Sequence, residues 1–408
     1  MKVLSASDHV VVVGAGLAGW RFVESLRREG FGGTITLVGD EVHAPYDRPP
    51  LSKQVLVGKW APDQTVLATP EALARARVAF RRGVAAVSLD VVNTTVLLAD
   101  GSRVGGTHVV IATGCRARSL PFCAGALLHT LRTRDDVVRL NEHLATLAPS
   151  AALAVIGGGF IGAEVATSLH ARGFRPIVLE ATERPLVRVL GPQVSSWLEG
   201  LAETAGVELR NDQRILDVEA TGTNFVVSFD GGTDLTVDAV VVGAGAQCND
   251  EWLATSGLVL DNGVVVNEHL LATERVAALG DVARFEWSSI TGSESVRIEH
   301  WQIAADHAHR LASYWTHGQT ATDPLIPYFW SDQYGKKIQL LGHPRPSDDV
   351  VRVSGTAVEA KWLGLYSRNG TVTGAVTLSN PRALIRCRPF LESPTSLEEA
   401  LRRAPWTH

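Results

Sequence analysis

HVVVVGAGLAGWRFVESLRREGFGGTITLVGD, residues 9–40, and LAVIGGGFIGAEVATSLHARGFRPIVLE, residues 153–180, carry the same signals in the same order. Each opens on an apolar run, Val10–Val13 or Leu153–Ile156, and turns on three glycines: Gly14, Gly16 and Gly19 in the first, Gly157, Gly159 and Gly162 in the second. A helical stretch then ends at Gly30-Phe31 or Gly173-Phe174, and a second apolar strand follows. Gly14 and Gly157 are 143 residues apart, and so are Gly30 and Gly173. In such a unit the first glycine permits the tight turn, the second lets backbone approach a diphosphate at the helix N-terminus, and the third lets helix pack on strand. A lone GxGxxG says little, but two in the same context predict two βαβ dinucleotide half-sites.

The acids that close the two repeats differ. Glu180 ends its strand, where a carboxylate accepts the ribose hydroxyls of an adenosine and repels a 2′-phosphate, so NADH is preferred over NADPH. In the first repeat Gly32-Gly33 is an insertion, and Gly39 falls in the slot of Glu180, with Asp40 and Glu41 just beyond. Either of these two acids could hold the ribose.

Outward from the repeats, Asp100-Gly101 is a hairpin signal, Val109–Gly114 is a short strand stopped by glycine, and Asp238–Gly245 echoes it. Val276–Asp281 (VAALGD) precedes a predicted helix over about 300–315, and from about 328 apolar residues alternate around an Asn369-Gly370 turn. The predicted fold is α/β: two Rossmann-like dinucleotide-binding domains plus a small C-terminal α+β domain. The first would be discontinuous, residues 1–115 and 246–325, the second would span 116–245, and the last 326–408.

The 408 residues are 45% hydrophobic and 20% charged, with a formal net charge of −5, which excludes a disordered or fibrous chain and a whole-molecule attraction to nucleic acid or anionic membrane. Cysteines at 115, 123, 248 and 387 form no CxxC pair, so neither a disulfide framework nor zinc is expected. No signal peptide and no membrane-spanning run is read, which places the protein in the cytoplasm. There is no metal motif, P-loop or GxSxG elbow, and the Asn93-Thr94-Thr95 sequon reads as chance.

These features resemble the two-nucleotide flavoprotein reductases related to glutathione reductase, and among them the NADH-dependent ferredoxin reductases that serve ring-hydroxylating dioxygenases and cytochromes P450. The most specific marks are PYDRPPLSK at 45–53, ALGD at 278–281 and YFWSDQ at 328–333. The resemblance implies FAD in the first repeat and NADH as donor in the second. Gly14, Ala15, Gly16 and Gly19 would meet the FAD diphosphate, Asp40 and Glu41 its ribose, and Asp281 its ribityl chain. Arg48, Lys53, Val84, Ala112 and Arg132 would be further FAD contacts, with Lys53 beside the flavin ring. Glu299, His300 and Trp301 would open a helix whose positive end faces the flavin, and Trp330 would wall the ring. Gly157, Gly159, Gly162, Glu164, Glu180 and Gly245 would hold the nicotinamide cofactor, with Glu164 near the nicotinamide. On its own residues, Glu164 also reads as a first-turn carboxylate complementing the helix dipole, and Trp330 as plain core.

The disulfide-reductase relatives carry cysteines after the first ribose acid, whereas residues 40–53 contain none. Electrons therefore would not leave through a local disulfide; the resemblance implies delivery one at a time to an iron–sulfur ferredoxin, acidic and transiently docked, that feeds a Rieske dioxygenase or a P450. FAD would convert the two-electron donor to one-electron deliveries, with Lys53 and Glu164 as the catalytic residues. Arg81-Arg82 or Arg402-Arg403 could contribute to docking, and Cys115 and Cys123 are given no redox role. The resemblance also admits rubredoxin reductase, NADH oxidase, or a redox-controlled binding flavoprotein like apoptosis-inducing factor.

Overall fold

The strand His9–Val13 is an unbroken apolar run, as a strand covered on both faces must be, and it pairs in parallel with Thr34–Gly39 on one side and His108–Ile111 on the other. Val276–Ala278 and Val78–Arg82 complete a five-stranded parallel sheet in the order Val276–Ala278, His108–Ile111, His9–Val13, Thr34–Gly39, Val78–Arg82. Helix Leu17–Arg28 buries Trp20, Phe22, Val23 and Leu26, and helix Trp301–His317 packs against it, with Trp315 edge-on to Phe22 at 5.7 Å between ring centres. Burying each such side chain stabilises by roughly 1.5–3 kcal/mol. Ala86–Asp90, Thr95–Leu98 and Arg103–Gly105 form a small antiparallel sheet, and its last hairpin turns at Asp100-Gly101 as expected.

The computed structural model describes residues 3–120, 128–289, 292–319, 321–356 and 361–407, so Cys123 lies outside the described residues. The chain divides into two compact units, Met1–Asp47 with Thr65–Arg116 and Gln247–Tyr328, and Arg48–Gln64 with Ala117–Ala246 and Phe329–His408.

The second unit repeats the first sheet's plan: Glu208–Arg210, Arg175–Leu179, Ala152–Ile156, Ala239–Val242 and His129–Thr130 run parallel in that order, with helix Phe160–Ala171 between Ala152–Ile156 and Arg175–Leu179. An antiparallel sheet of Ile215–Thr221, Asn224–Phe229 and Leu235–Val237 shares a core with it. The C-terminal region is a five-stranded sheet ordered Tyr328–Gln333, Lys336–Gly342, Thr371–Leu378, Lys361–Arg368, Asp349–Thr356. Its central hairpin turns on Asn369 and Gly370, both at positive φ (51° and 76°), the backbone that an Asn-Gly pair accepts most readily. Among the described residues no helix is long and apolar enough to cross a membrane.

Candidate functional site

The two glycine turns are built alike down to individual contacts. Gly14 has φ +116°, and a Cβ there would stand 2.2 Å from the Ala112 carbonyl oxygen; Gly157 has φ +103°, and its Cβ would meet the Gly243 oxygen at 2.7 Å. A Cβ on Gly19 would stand 2.0 Å from the Gly14 oxygen, and one on Gly162 1.9 Å from the Gly157 oxygen. These four are bare because backbone fills the space. Gly16 and Gly159 differ: a Cβ on either would meet nothing within 4 Å. They are the N-caps of Leu17–Arg28 and Phe160–Ala171, where no side chain caps the helix and no acid occupies the first turn. Open space before an uncapped helix N-terminus is what an incoming diphosphate needs, so both turns fit a dinucleotide.

Strand register fixes the correspondence of the closing residues. Val13 pairs with Val38 and Ile156 with Leu179, so Gly39 stands where Glu180 stands, and the Gly32-Gly33 insertion is absorbed before the strand. The two turns have exchanged bulk: a Cβ on Gly39 would strike the Ala15 Cβ at 2.7 Å, and one on Gly158 would lie 3.0 Å from Glu180 Oε2. Where the turn carries a methyl the strand end carries none, and the reverse. Glu180 Oε2 accepts from the Gly158 amide at 2.7 Å, and Oε1 from the Thr182 amide and hydroxyl at 2.8 and 2.6 Å, which fixes the carboxylate at the lip of the turn. In the first unit Asp40 is exposed and caps the Glu41 amide at 3.0 Å, while Glu41 accepts the Tyr46 hydroxyl at 2.6 Å.

Lys53 and Glu164 meet inside the second unit. Lys53 lies in the helical turn Leu51–Val55 of the proline-rich segment, and its Nζ is 2.7 Å from Glu164 Oε2. The same oxygen accepts from Ser52 Oγ at 2.6 Å, and Oε1 accepts from Ser331 Oγ at 2.7 Å and the Asp332 amide at 3.2 Å. Glu164 is 3% exposed, so four donors stand in for water around a buried carboxylate. The helix begins at Phe160, which puts Glu164 in the second turn; the first-turn dipole reading therefore fails. Ser168, one turn further, donates to the Ser52 carbonyl at 2.6 Å, and Arg172, another turn on, donates to the Leu56 carbonyl at 3.0 Å and to Asn141 at 2.5 Å. One polar stripe at i, i+4, i+8 thus fastens the lysine segment to the helix of the second glycine turn.

The remaining expected residues divide between the units. In the first, Ala112 is buried at the end of its strand, and the Val84 amide donates to the Gly39 carbonyl at 3.1 Å. Asp281 lies in the turn Gly280–Val282, whose Gly280 amide points at His307 Nδ1, 3.4 Å away. His300 is the N-cap of Trp301–His317, Glu299 pairs with Arg297 at 2.7 Å, and the Trp301 indole N–H donates to Asp47 at 2.7 Å. Complete burial, with Arg310 adding like charge, pulls the His307 imidazole down to about 3. In the second unit Arg48 donates to the Arg132 carbonyl at 2.6 Å, Gly245 sits at φ +96°, and Trp330 is half-buried in Tyr328–Gln333. Arg81 faces Asp100 and Ser102, and Arg403 pairs with Glu399; both arginines are exposed. Among the described residues no group of three or more His, Cys, Asp or Glu could hold a metal ion.

Ser52, Ser168, Arg172, Thr182 and Tyr46 were not singled out by the sequence. The spacing of Glu164, Ser168 and Arg172 along one helix was an available signal, and Tyr46 and Ser52 stand in the PYDRPPLSK segment; Thr182 had none.

Two nucleotide cradles of one plan, with a buried lysine–glutamate pair beside the second, define a pyridine-nucleotide-linked oxidoreductase. Residues 8–308 match the pyridine nucleotide-disulphide oxidoreductase family and residues 328–405 a reductase C-terminal family. The chain belongs to the pyridine nucleotide-disulphide oxidoreductases. It is 35% identical to rhodocoxin reductase of Rhodococcus erythropolis over 96% of this chain and 91% of that one. It is 33% identical to the ferredoxin reductase component of chlorobenzene dioxygenase of a Cupriavidus species, over 97% and 95%. Its structure resembles the reductase in the covalent putidaredoxin reductase–putidaredoxin complex, with a TM-score of 0.92 and 31% identity over 99% of this chain and 98% of that one.

Proposed function

We propose that this chain is an FAD-containing NADH:ferredoxin reductase, passing electrons from NADH one at a time to a small iron–sulfur ferredoxin that supplies an oxygenase, and that it works in the cytoplasm. The reading rests on one observation above the others: the same backbone-filled, then open, then backbone-filled glycine geometry occurs at both turns, so the chain offers two dinucleotide cradles. The named relatives, reductases of ferredoxin-dependent oxygenase systems, support the acceptor. Residues 1–115 with 246–325 would form the FAD domain, 116–245 the NAD domain, and 326–408 the C-terminal domain.

FAD, when bound, supplies the conversion between a two-electron donor and a one-electron acceptor. The residues of this chain bind, orient and set charge. The amides behind Gly14, Ala15, Gly16 and Gly19 would take the FAD diphosphate, with Asp40 or Glu41 at the ribose, Asp281 at the ribityl chain, and Val84 and Ala112 as further FAD contacts. Glu41, held by Tyr46, is the better ordered of the two acids. The N-terminus of the helix beginning at Trp301 carries the positive end of the helix dipole, a fixed positive potential for the anionic edge of a reduced ring. Arg48 and Arg132 would be further FAD contacts, and Trp330 would wall the ring.

In that unit Gly157, Gly159, Gly162 and Gly245 would seat NADH, with Glu180 accepting both ribose hydroxyls. Its carboxylate is already held by Gly158 and Thr182, so a 2′-phosphate would meet a charge that cannot swing away. Glu164 anchors Lys53 and so fixes where a single ammonium charge is offered. Titrating the purified chain with FAD tests the first cradle, and comparing NADH with NADPH as reductant tests the second. Stoichiometric FAD uptake with strong NADH preference is expected; a chain that takes up no FAD would overturn the reading.

A further inference from the structure

Cys115 and Cys248 are 133 residues apart in sequence, yet their sulfurs lie 3.8 Å from each other in the first unit, in residues only 5% and 3% exposed. They sit on Cys115–Ala117 and Ala246–Cys248, neighbours in a two-stranded sheet. The Asn249 amide donates to the Gly114 carbonyl at 2.9 Å, and the Arg118 amide to the Gly245 carbonyl at 3.1 Å. Partners that fall in one strand as they rise in the other define an antiparallel ladder, in which Cys115 and Cys248 are directly opposed at a non-hydrogen-bonded position. Such pairs hold their Cα atoms ~4.5 Å apart with side chains on one face. A disulfide spans Cα separations of roughly 4.4–6.8 Å.

We propose that Cys115 and Cys248 are a redox-modifiable dithiol that closes to an intramolecular disulfide when the enzyme meets a hydroperoxide. The surroundings distinguish the two sulfurs. Cys115 donates its S–H toward Cys248, and Arg297 Nη1 lies 3.3 Å from Cys115 Sγ. The Cys115 donor and then the Arg297 charge hold the Cys248 thiol below its ordinary value, while facing Cys248 and burial raise Cys115. Cys248 is therefore the attacking thiolate and Cys115 the resolving thiol.

Attack of the Cys248 thiolate on one peroxide oxygen breaks the O–O bond; the departing oxygen takes a proton from solvent and leaves as water or an alcohol. Cys248 becomes a sulfenic acid. The Cys115 sulfur then displaces its hydroxyl, the S–S bond forms, and the hydroxyl leaves with the Cys115 proton as water. Two thiols lose two electrons, and the peroxide gains them. Their burial limits the reaction to a small oxidant and shields the product from bulky thiols. Closure brings the sulfurs to about 2.05 Å and draws Cys115 from the Asp281 carbonyl, now 3.6 Å away. It also staples the two strands at which the chain leaves the first unit after Arg116 and re-enters it at Gln247.

The test uses the FAD-loaded full chain, exposed to hydrogen peroxide, then unfolded, alkylated and peptide-mapped by mass spectrometry. The expected product is a dithiothreitol-sensitive link between the Cys115 and Cys248 peptides, formed while buried Cys387 remains alkylatable as the mark of a folded protein. In Cys115→Ser, dimedone should trap a sulfenic acid at Cys248; in Cys248→Ser, Cys115 should stay reduced. Recovery of both cysteines fully alkylated, linkage only when Cys387 is also oxidised, or dimedone capture at Cys115 instead of Cys248 would overturn the proposal.

Discussion

The ammonium of Lys53 and the carboxylate of Glu164 are 2.7 Å apart although 111 residues separate them, and Glu164 accepts three further hydrogen bonds. A buried pair of this kind is weak evidence of net stabilisation, but removing one partner leaves a charge without its counterpart.

Lys53→Met should therefore destabilise the chain. The general cost of breaking a buried pair, about 3–5 kcal/mol, is lowered here because Ser52, Ser331 and the Asp332 amide still solvate Glu164, so about 2–3 kcal/mol is expected. Ser331→Ala, which removes one neutral donor, should cost about 1 kcal/mol. Urea unfolding of the two variants measures the order; equal costs would mean that Lys53 is no more than one donor among four.

The glycines separate folding from cofactor binding. Gly16→Ala places its methyl in open space at an ordinary φ of −82°, so folding should change by no more than about 1 kcal/mol while FAD content falls. Gly14→Ala puts a methyl onto the Ala112 carbonyl at φ +116° and should compromise folding itself. Circular dichroism with the 450 nm region of the visible spectrum distinguishes these outcomes.

Much of this was legible in the chain. Paired glycine turns, the Asn369-Gly370 hairpin and the slot shared by Gly39 and Glu180 all follow from local rules of backbone and register. What escaped depended on long-range placement. Ser331 and Ser52 stand in the YFWSDQ and PYDRPPLSK segments, but neither has a visible partner until a glutamate 167 and 112 residues away is brought between them. Cys115 reads beside Cys123 as a thiol without a redox role, because nothing local reveals that the opposing strand carries Cys248.

Glu180 should govern the choice between NADH and NADPH. Glu180→Ala removes the carboxylate that a 2′-phosphate would meet, and the ratio of kcat/KM for NADH over NADPH should fall by at least about 10-fold, or ~1.4 kcal/mol. An unchanged ratio would remove Glu180 from specificity.

Acid stability should carry the mark of His307. Its folded value, about 3, lies below the unfolded value of about 6.5, so the unfolded chain binds the extra proton. The contribution is fully present above pH 6.5 and is lost progressively as pH falls toward 3, at about 1.4 kcal/mol per pH unit. His307→Leu should flatten the acid limb by that slope in denaturant midpoints taken between pH 6.5 and 4; an unchanged slope would mean that His307 does not control it.

Electrons are delivered in single steps to an iron–sulfur partner. Anaerobic assays with the FAD-loaded chain, NADH, and ferredoxins of Rieske-dioxygenase and P450 systems, followed by cytochrome c reduction, test it most directly. Reduction that rises and saturates with ferredoxin concentration, and that NADPH supports poorly, is predicted. Rapid bleaching of the flavin by NADH with no ferredoxin-dependent cytochrome c reduction would contradict it.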